Sequence, residues 1–133
     1  MKEGPLLGRL QSGKSVIWKG KRISVKDSTY IVKGKKIAYV ADTIPCKGAM
    51  KLAKNADLLI CDSTYHSSLW EKAKEYKHMT AKDAGLLASR SGVKQLALVH
   101  FSARYKDAHV LEEDARDVFD NSLAAKDFMR IKI

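Results

Sequence analysis

The sequence predicts an α/β domain with buried strands, entered through a short, basic, β-rich arm. Short apolar runs of strand type alternate with segments of helical pattern, as in a sheet covered by helices. Glycines break up the first 35 residues, and ten of the chain's 25 Lys and Arg side chains fall within the first 36. A length of 133 residues suits a single domain that buries its own core.

Residues 1–35 carry Gly4, Gly8, Gly13, Gly20 and Gly34 between the β-type runs Ser15–Trp18, Arg22–Val25 and Thr29–Val32, the pattern of a meander rather than a helix. From Lys36 the pattern changes. Ile37–Val40 is a first buried strand, 48–55 a short helix and Leu58–Ile60 a second strand. Ser68 with Glu71 has capping-box spacing ahead of a helix reaching about Tyr76; Thr80 with Asp83 repeats it ahead of a helix that Gly92 closes. Leu96–Val99 is the third strand. Asp107 is placed to cap a last helix whose Val110, Leu111, Ala115, Val118 and Phe119 share a face, and residues 123–133 supply terminal strand material.

Charge is unevenly distributed within the total of +10: residues 1–36 hold ten basic and two acidic side chains, the other 97 hold fifteen and thirteen. A basic front on a nearly neutral body points to a polyanion such as nucleic acid, and reads equally as a solubilising surface. No apolar run approaches the roughly 18 residues of a membrane span, and the first residues lack the apolar segment of a signal peptide, so a cytoplasmic protein without membrane partners is expected. Cys46 and Cys61 form no CxxC pair, so reduced thiols are expected and a cysteine-held structural zinc is not.

The three central strands end in groups that do chemistry: Asp42-Thr43, Asp62-Ser63-Thr64 and His100-Phe101-Ser102. Ligands of α/β sheets bind at the carboxyl ends of strands, where loops converge. Taken singly, Asp42 reads also as a turn residue and His100 as a core histidine. His78, just before the expected cap Thr80, is a fourth candidate that a carboxylate such as Asp62 could orient. His66 and His109 sit among polar residues and read as solvated. The chain has no HxH, no HExxH and no Gly-rich phosphate loop; Asp42 and His100 alone would hold a metal weakly.

In order, Gly4-Pro5, the run Lys36 to Thr43, the run Ala56 to Ile60 leading to Asp62-Ser63-Thr64-Tyr65, then His78-Met79-Thr80-Ala81 and His100-Phe101-Ser102-Ala103-Arg104-Tyr105 resemble ribonuclease Z, the tRNA 3′-processing endonuclease family of metallo-β-lactamase fold. The likeness runs on through residues 121–129, which resemble the family's closing strand region. It covers the carboxyl half only: the family's HxHxDH motif and further upstream histidine are not in this chain. The resemblance implies half of an αββα sandwich, with a mixed sheet carrying helices on one face over residues 36–133 and the returning end of a tRNA-binding arm over 1–35.

By the same resemblance Asp42 matches the aspartate bridging two zinc ions and His100 the terminal histidine ligand, in a two-metal centre that activates water and stabilises both in-line oxygens of a phosphodiester. Asp62 stands where the family has glutamate and His78 where it has the histidine of a His-Ser-Thr motif, a pair that protonates the leaving 3′-oxygen. Cys61 stands for a histidine and Met79 for a serine. Gly4-Pro5 resembles the glycine-proline element of the arm gripping tRNA, which makes Arg9, Lys14 and Lys21 candidate RNA contacts, with Arg104 a candidate phosphate contact.

A half sandwich would leave exposed the sheet face that normally packs on the other sheet, so a homodimer or a separately encoded amino-terminal half is expected to cover it. The function implied is the carboxyl half of a zinc-dependent tRNA 3′-endonuclease, incomplete as a catalyst without the HxHxDH-bearing half. The alternative is a non-catalytic RNA-binding or assembly protein of the same fold.

Overall fold

The structure, a computed structural model, describes residues 4–133, which form two compact units dividing between Gly34 and Lys35.

The first unit contains α1 (Pro5–Gln11), β1 (Val16–Trp18), β2 (Lys21–Ile23) and α2 (Val25–Ser28). The opening helix corrects the expectation of a helix-free meander. Pro5 sits in its first turn, where a preset φ favours the helix and the missing N–H costs nothing, and Leu10 is buried beneath it. The β1–β2 hairpin turns through Lys19 and Gly20, both at positive φ (48° and 74°), the handedness that matches strand twist. The run Arg22–Val25 is divided, because Ser24 ends β2's segment and its Oγ accepts from Lys26 N at 3.1 Å to cap α2. Thr29–Val32 is not a strand. The hydroxyls of Ser28 and Thr29 donate back to the Ser24 and Val25 carbonyls at 2.6 and 2.7 Å, closing the turn of α2, and Tyr30, Ile31 and Val32 stand exposed.

The second unit runs β3 (Ile37–Val40), α3 (Lys47–Ala53), β4 (Leu58–Asp62), a 3-10 turn Ser67–Leu69, α4 (Trp70–Glu75), α5 (Ala81–Ser91), β5 (Gln95–Val99), α6 (His109–Arg116) and β6 (Ser122–Ala124). The sheet order is β3-β4-β5-β6, and every pairing is parallel, so the expected mixed sheet is parallel throughout the described residues. Strands in sequential order joined by right-handed crossovers place their helices on one face. Ala38, Val40, Leu59, Cys61, Leu96 and Leu98 point into that helical layer, meeting Ala84, Leu87, Ala88, Leu111 and Ala115. On the opposite face Ile37 and Tyr39 are 56% and 66% exposed, an apolar edge with no cover among the described residues.

Local signals explain most element ends. The Thr80–Asp83 capping box forms in full: Thr80 Oγ1 accepts from Asp83 N at 3.1 Å, and the Asp83 carboxylate accepts from Thr80 N at 3.0 Å. Gly92 ends α5 in the left-handed region, φ 67°. The Ser68–Glu71 box does not form. His66 Nδ1 accepts from Ser68 N at 3.1 Å instead, and the ring's other nitrogen lies 3.5 Å from buried Asp114. His66, expected in solvent, is thus half-buried as a cap, whereas His109 is exposed beside Glu113.

Asp107 accepts from His109 N at 3.0 Å at the start of α6, and Val110, expected inside, is exposed. Terminal strand material amounts to β6 alone. After Ala125 N donates to Leu98 O, Met129 N turns back to Lys126 O at 3.0 Å with Phe128 at φ 62°, which ends the ladder. Among the described residues no helix is long and apolar enough to cross a membrane.

Candidate metal and catalytic centre

Parallel strands β3, β4 and β5 end level with one another, with Val40 paired to Cys61 and Asp62 to Val99. The residues leaving those ends therefore converge. Asp42 follows β3 and His100 follows β5, both in the left-handed region with φ 56° and 63°. Asp and His tolerate that conformation better than branched residues. His78 arrives by a different route. Beyond the end of α4, Lys77 turns left-handed with φ 60°, and His78 N reaches back to Ala73 O at 2.8 Å, a Schellman-type closure. Ala81 N then donates to Tyr65 O at 2.8 Å, in a bridge that pins residues 78–81 beside the end of β4.

Asp42, Asp62, His78 and His100 each offer a ligand atom within 4.8 Å of the others. Their environments differ. Asp62 is fully buried and saturated: Oδ1 accepts from Thr64 N at 3.1 Å and from Thr64 Oγ1 at 2.7 Å, while Oδ2 accepts from Thr43 N at 3.3 Å and His78 Nδ1 at 3.2 Å. Asp42 is open, with its side chain 77% exposed and Oδ1 3.5 Å from His78 Nδ1.

These bonds set both imidazole tautomers. An ionised carboxylate only accepts, so His78 carries its proton on Nδ1. Thr64 spends its hydroxyl hydrogen on Asp62, so at 3.2 Å its oxygen accepts from Nδ1 of His100. Each ring thereby presents a lone pair at Nε2, and Nε2 of neither has a protein hydrogen bond among the described residues. The imidazole–carboxylate arrangement is the one that orients histidines bound to metals.

Thr43 and Thr64 stood in the strand-end groups and Tyr65 beside them, but the sequence assigned none of the three a role. Tyr65 packs edge-on to His78, ring centroids 6.3 Å apart, and the Arg104 guanidinium lies 5.4 Å over the Tyr65 ring. Arg104 therefore borders the centre through Tyr65 rather than joining the cluster. The Asp-Ser-Thr spacing carried a usable signal, since residues two apart in extended chain face the same way. Cys61 and Met79 are both fully buried and meet sulfur to sulfur at 3.7 Å, packing behind the site. Burial, and secondarily the nearby charges of Asp62 and Asp83, pushes the Cys61 thiol up to about 12.

In the first unit Gly4 and Pro5 begin α1, and Arg9 borders a concavity of about 440 Å³ opposite Arg22, a residue not singled out by sequence. Lys14 and Lys21 are exposed and do not line it.

The Beta-lactamase superfamily domain pattern matches residues 13–101. A ribonuclease Z of Ignicoccus hospitalis is 44% identical over 128 residues, spanning 96% of this chain and 43% of that protein. Human tRNase Z, short form, superposes with a TM-score of 0.59 at 32% identity, over 84% of this chain and 36% of that one. A metallo-beta-lactamase fold protein of Bacillus subtilis does so with a TM-score of 0.61 at 26% identity, over 68% and 36%. The chain thus spans about two fifths of the length of these relatives.

Proposed function

The chain belongs to the beta-lactamase superfamily, and from that membership we propose that it provides the carboxyl-half catalytic edge of a zinc-dependent tRNA 3′-endonuclease. The observation that carries the reading is the convergence of Asp42, Asp62, His78 and His100 at one edge of a parallel sheet. The likeness to ribonuclease Z proteins supplies the substrate class, a tRNA precursor.

Two carboxylates and two imidazoles make a nitrogen-and-oxygen donor set that suits zinc. Asp42, open to solvent, and His100, with Nε2 turned out, are the residues that would hold it. Metal bound there supplies Lewis-acid activation of water and of the phosphodiester. Asp62 is too fully engaged by donors to serve as a primary ligand. It orients His78, whose Nε2 first takes up a proton and then passes it to the departing 3′-oxygen, and it balances the charge on the ring while both nitrogens are protonated. Arg104, parked on Tyr65, reaches toward a substrate phosphate. In the first unit Gly4 and Pro5 set the start of the arm, where Arg9, Lys14 and Lys21 meet tRNA phosphates.

Ile37 and Tyr39 mark the face that a separately encoded half carrying HxHxDH, or a second copy of the chain, covers. A compact monomer by sedimentation at high micromolar concentration would count against that cover. The catalytic reading is tested by incubating a 3′-extended tRNA precursor with zinc and the chain, alone and mixed with such a half. Cleavage at the 3′ end, slowed by His78→Ala while precursor binding persists, is the expected result. Binding without cleavage in any combination would leave an RNA-binding protein, and a chain that neither binds nor cleaves would sink the proposal.

A further inference from the structure

A groove runs across the helical layer away from the centre. It begins at a concavity of about 290 Å³ lined by His78 together with Trp70 and Lys74. Pro45 and Asp83 are shared with a second concavity of about 320 Å³ between α3 and α5. Lys47, Met50 and Arg90 are shared in turn with a third, of about 590 Å³, which ends at Lys54 and Gly92.

The walls are cationic. Lys47 and Lys51 lie one turn apart on α3 and Lys54 is its C-cap, all three line the same concavity, and the seven steps from first to last span about 10 Å. Arg90 faces them from α5. None of these four forms an ion pair among the described residues. The one acid on the path, Asp83, is spent in the α5 capping box. Ser89 and Ser91 line the wide end with Asn55, a polar floor between the cations. At the narrow end Trp70 is 57% exposed beside His78. An exposed aromatic leading into a cationic groove is how proteins hold a single strand: bases stack while the backbone follows the charge. Concavities of a few hundred Å³ admit nucleotides singly, and a duplex would ride over their rims.

We propose that this groove is a track for single-stranded RNA, carrying the 3′ extension of the precursor from the centre, over Trp70, to the cations of α3 and α5. The track rests on the reading of the centre given above. None of its residues belongs to the four-residue cluster except His78 at its mouth.

The test titrates the full chain by fluorescence anisotropy with two probes, a tRNA ending at its mature 3′ end and the same tRNA carrying a short single-stranded 3′ extension. The extended probe should bind more tightly. Combining Lys47→Gln, Lys51→Gln and Lys54→Gln should abolish that advantage and leave binding of the mature probe unchanged. The slope of log affinity against log salt for the extended probe should fall by about 2, from three contacts at about 0.7 each, roughly a 16-fold smaller loss between 50 and 200 mM.

Arg90→Gln, on the other wall, should lower that slope by about 0.7. Trp70→Ala should weaken the extended probe roughly 5- to 150-fold. A triple variant that keeps both the advantage and the slope overturns the track while leaving the centre's proposed role standing. Equal losses on both probes overturn it too, since they reveal only a diffuse cationic surface. A wild-type chain that binds neither probe overturns the track together with the reading beneath it.

Discussion

Asp62→Asn tests the hydrogen-bond logic of the centre without requiring turnover. The wild-type carboxylate meets donors only: Thr64 N–H and O–H on one oxygen, Thr43 N–H and His78 Nδ1–H on the other. Asparagine keeps the shape and replaces one acceptor by an NH₂ group. Placed toward Thr64, that group would oppose a backbone N–H at 3.1 Å and a hydroxyl at 2.7 Å, so it turns toward Thr43 and His78. Thr43 N–H then loses its partner, which costs about 1–3 kcal/mol, at the lower end because the bond is long at 3.3 Å.

His78 has a way out: moving its proton to Nε2 frees Nδ1 to accept from the amide. The substitution should therefore cost ~1–2 kcal/mol in urea unfolding and invert the His78 tautomer, read from imidazole ¹⁵N shifts. His100, held through Thr64, should keep its proton on Nδ1. A wild-type His78 already protonated on Nε2, or a variant with unchanged tautomer and stability, would refute the assignment. Loss of the orienting acceptor in a histidine–carboxylate pair costs up to about 10⁴ in rate when it traps the wrong tautomer.

Three other outcomes follow from the packing. Native chain should react with a thiol reagent at Cys46 alone, because Cys61 is fully buried with its thiol pushed up to about 12; denaturant should expose the second thiol, and two fast-reacting native thiols would contradict this burial. Gly85→Ala should destabilise by about 1–3 kcal/mol, since a methyl there would come within 2.7 Å of Val118 Cγ2 and 2.8 Å of the Ala115 carbonyl, and thermal unfolding measures it. Asp57 is held below its ordinary value of 3.8, first by its bond to Lys94 and then by Lys36 N–H. Its contribution to stability is fully present above 3.8 and fades as pH falls through the lowered value, so Asp57→Asn should lower stability at neutral pH, leave strongly acid pH nearly unchanged and thereby flatten the acid limb of the stability profile.

Much of the second unit was legible because its signals are local. Apolar runs marked β3, β4 and β5, and the Thr80–Asp83 box with Gly92 bracketed α5 within a residue. Polar residues at strand ends pointed to Asp42, Asp62 and His100 before any distance was known. Local signals misled where two local options compete. Pro5 starts a helix within a glycine-rich stretch, and the β-branched run Thr29–Val32 had no neighbouring strand to complete its hydrogen bonds. His66 won the cap from Ser68 because buried Asp114 holds that corner from a helix more than forty residues away, accepting from Ser67 N–H at 2.9 Å.

By itself the sequence determined which residues could do chemistry and at which strand ends they lie, since residue type and apolar periodicity are written along the chain. Only the tertiary structure decided their roles. Parallel register levels the ends of β3, β4 and β5, a bridge from Tyr65 to Thr80 swings His78 into place, and Thr43 and Thr64 saturate Asp62 while Asp42 stays open. Whether a carboxylate orients a neighbour or faces a ligand depends on how many donors surround it, and those donors come from segments that meet only when the sheet forms.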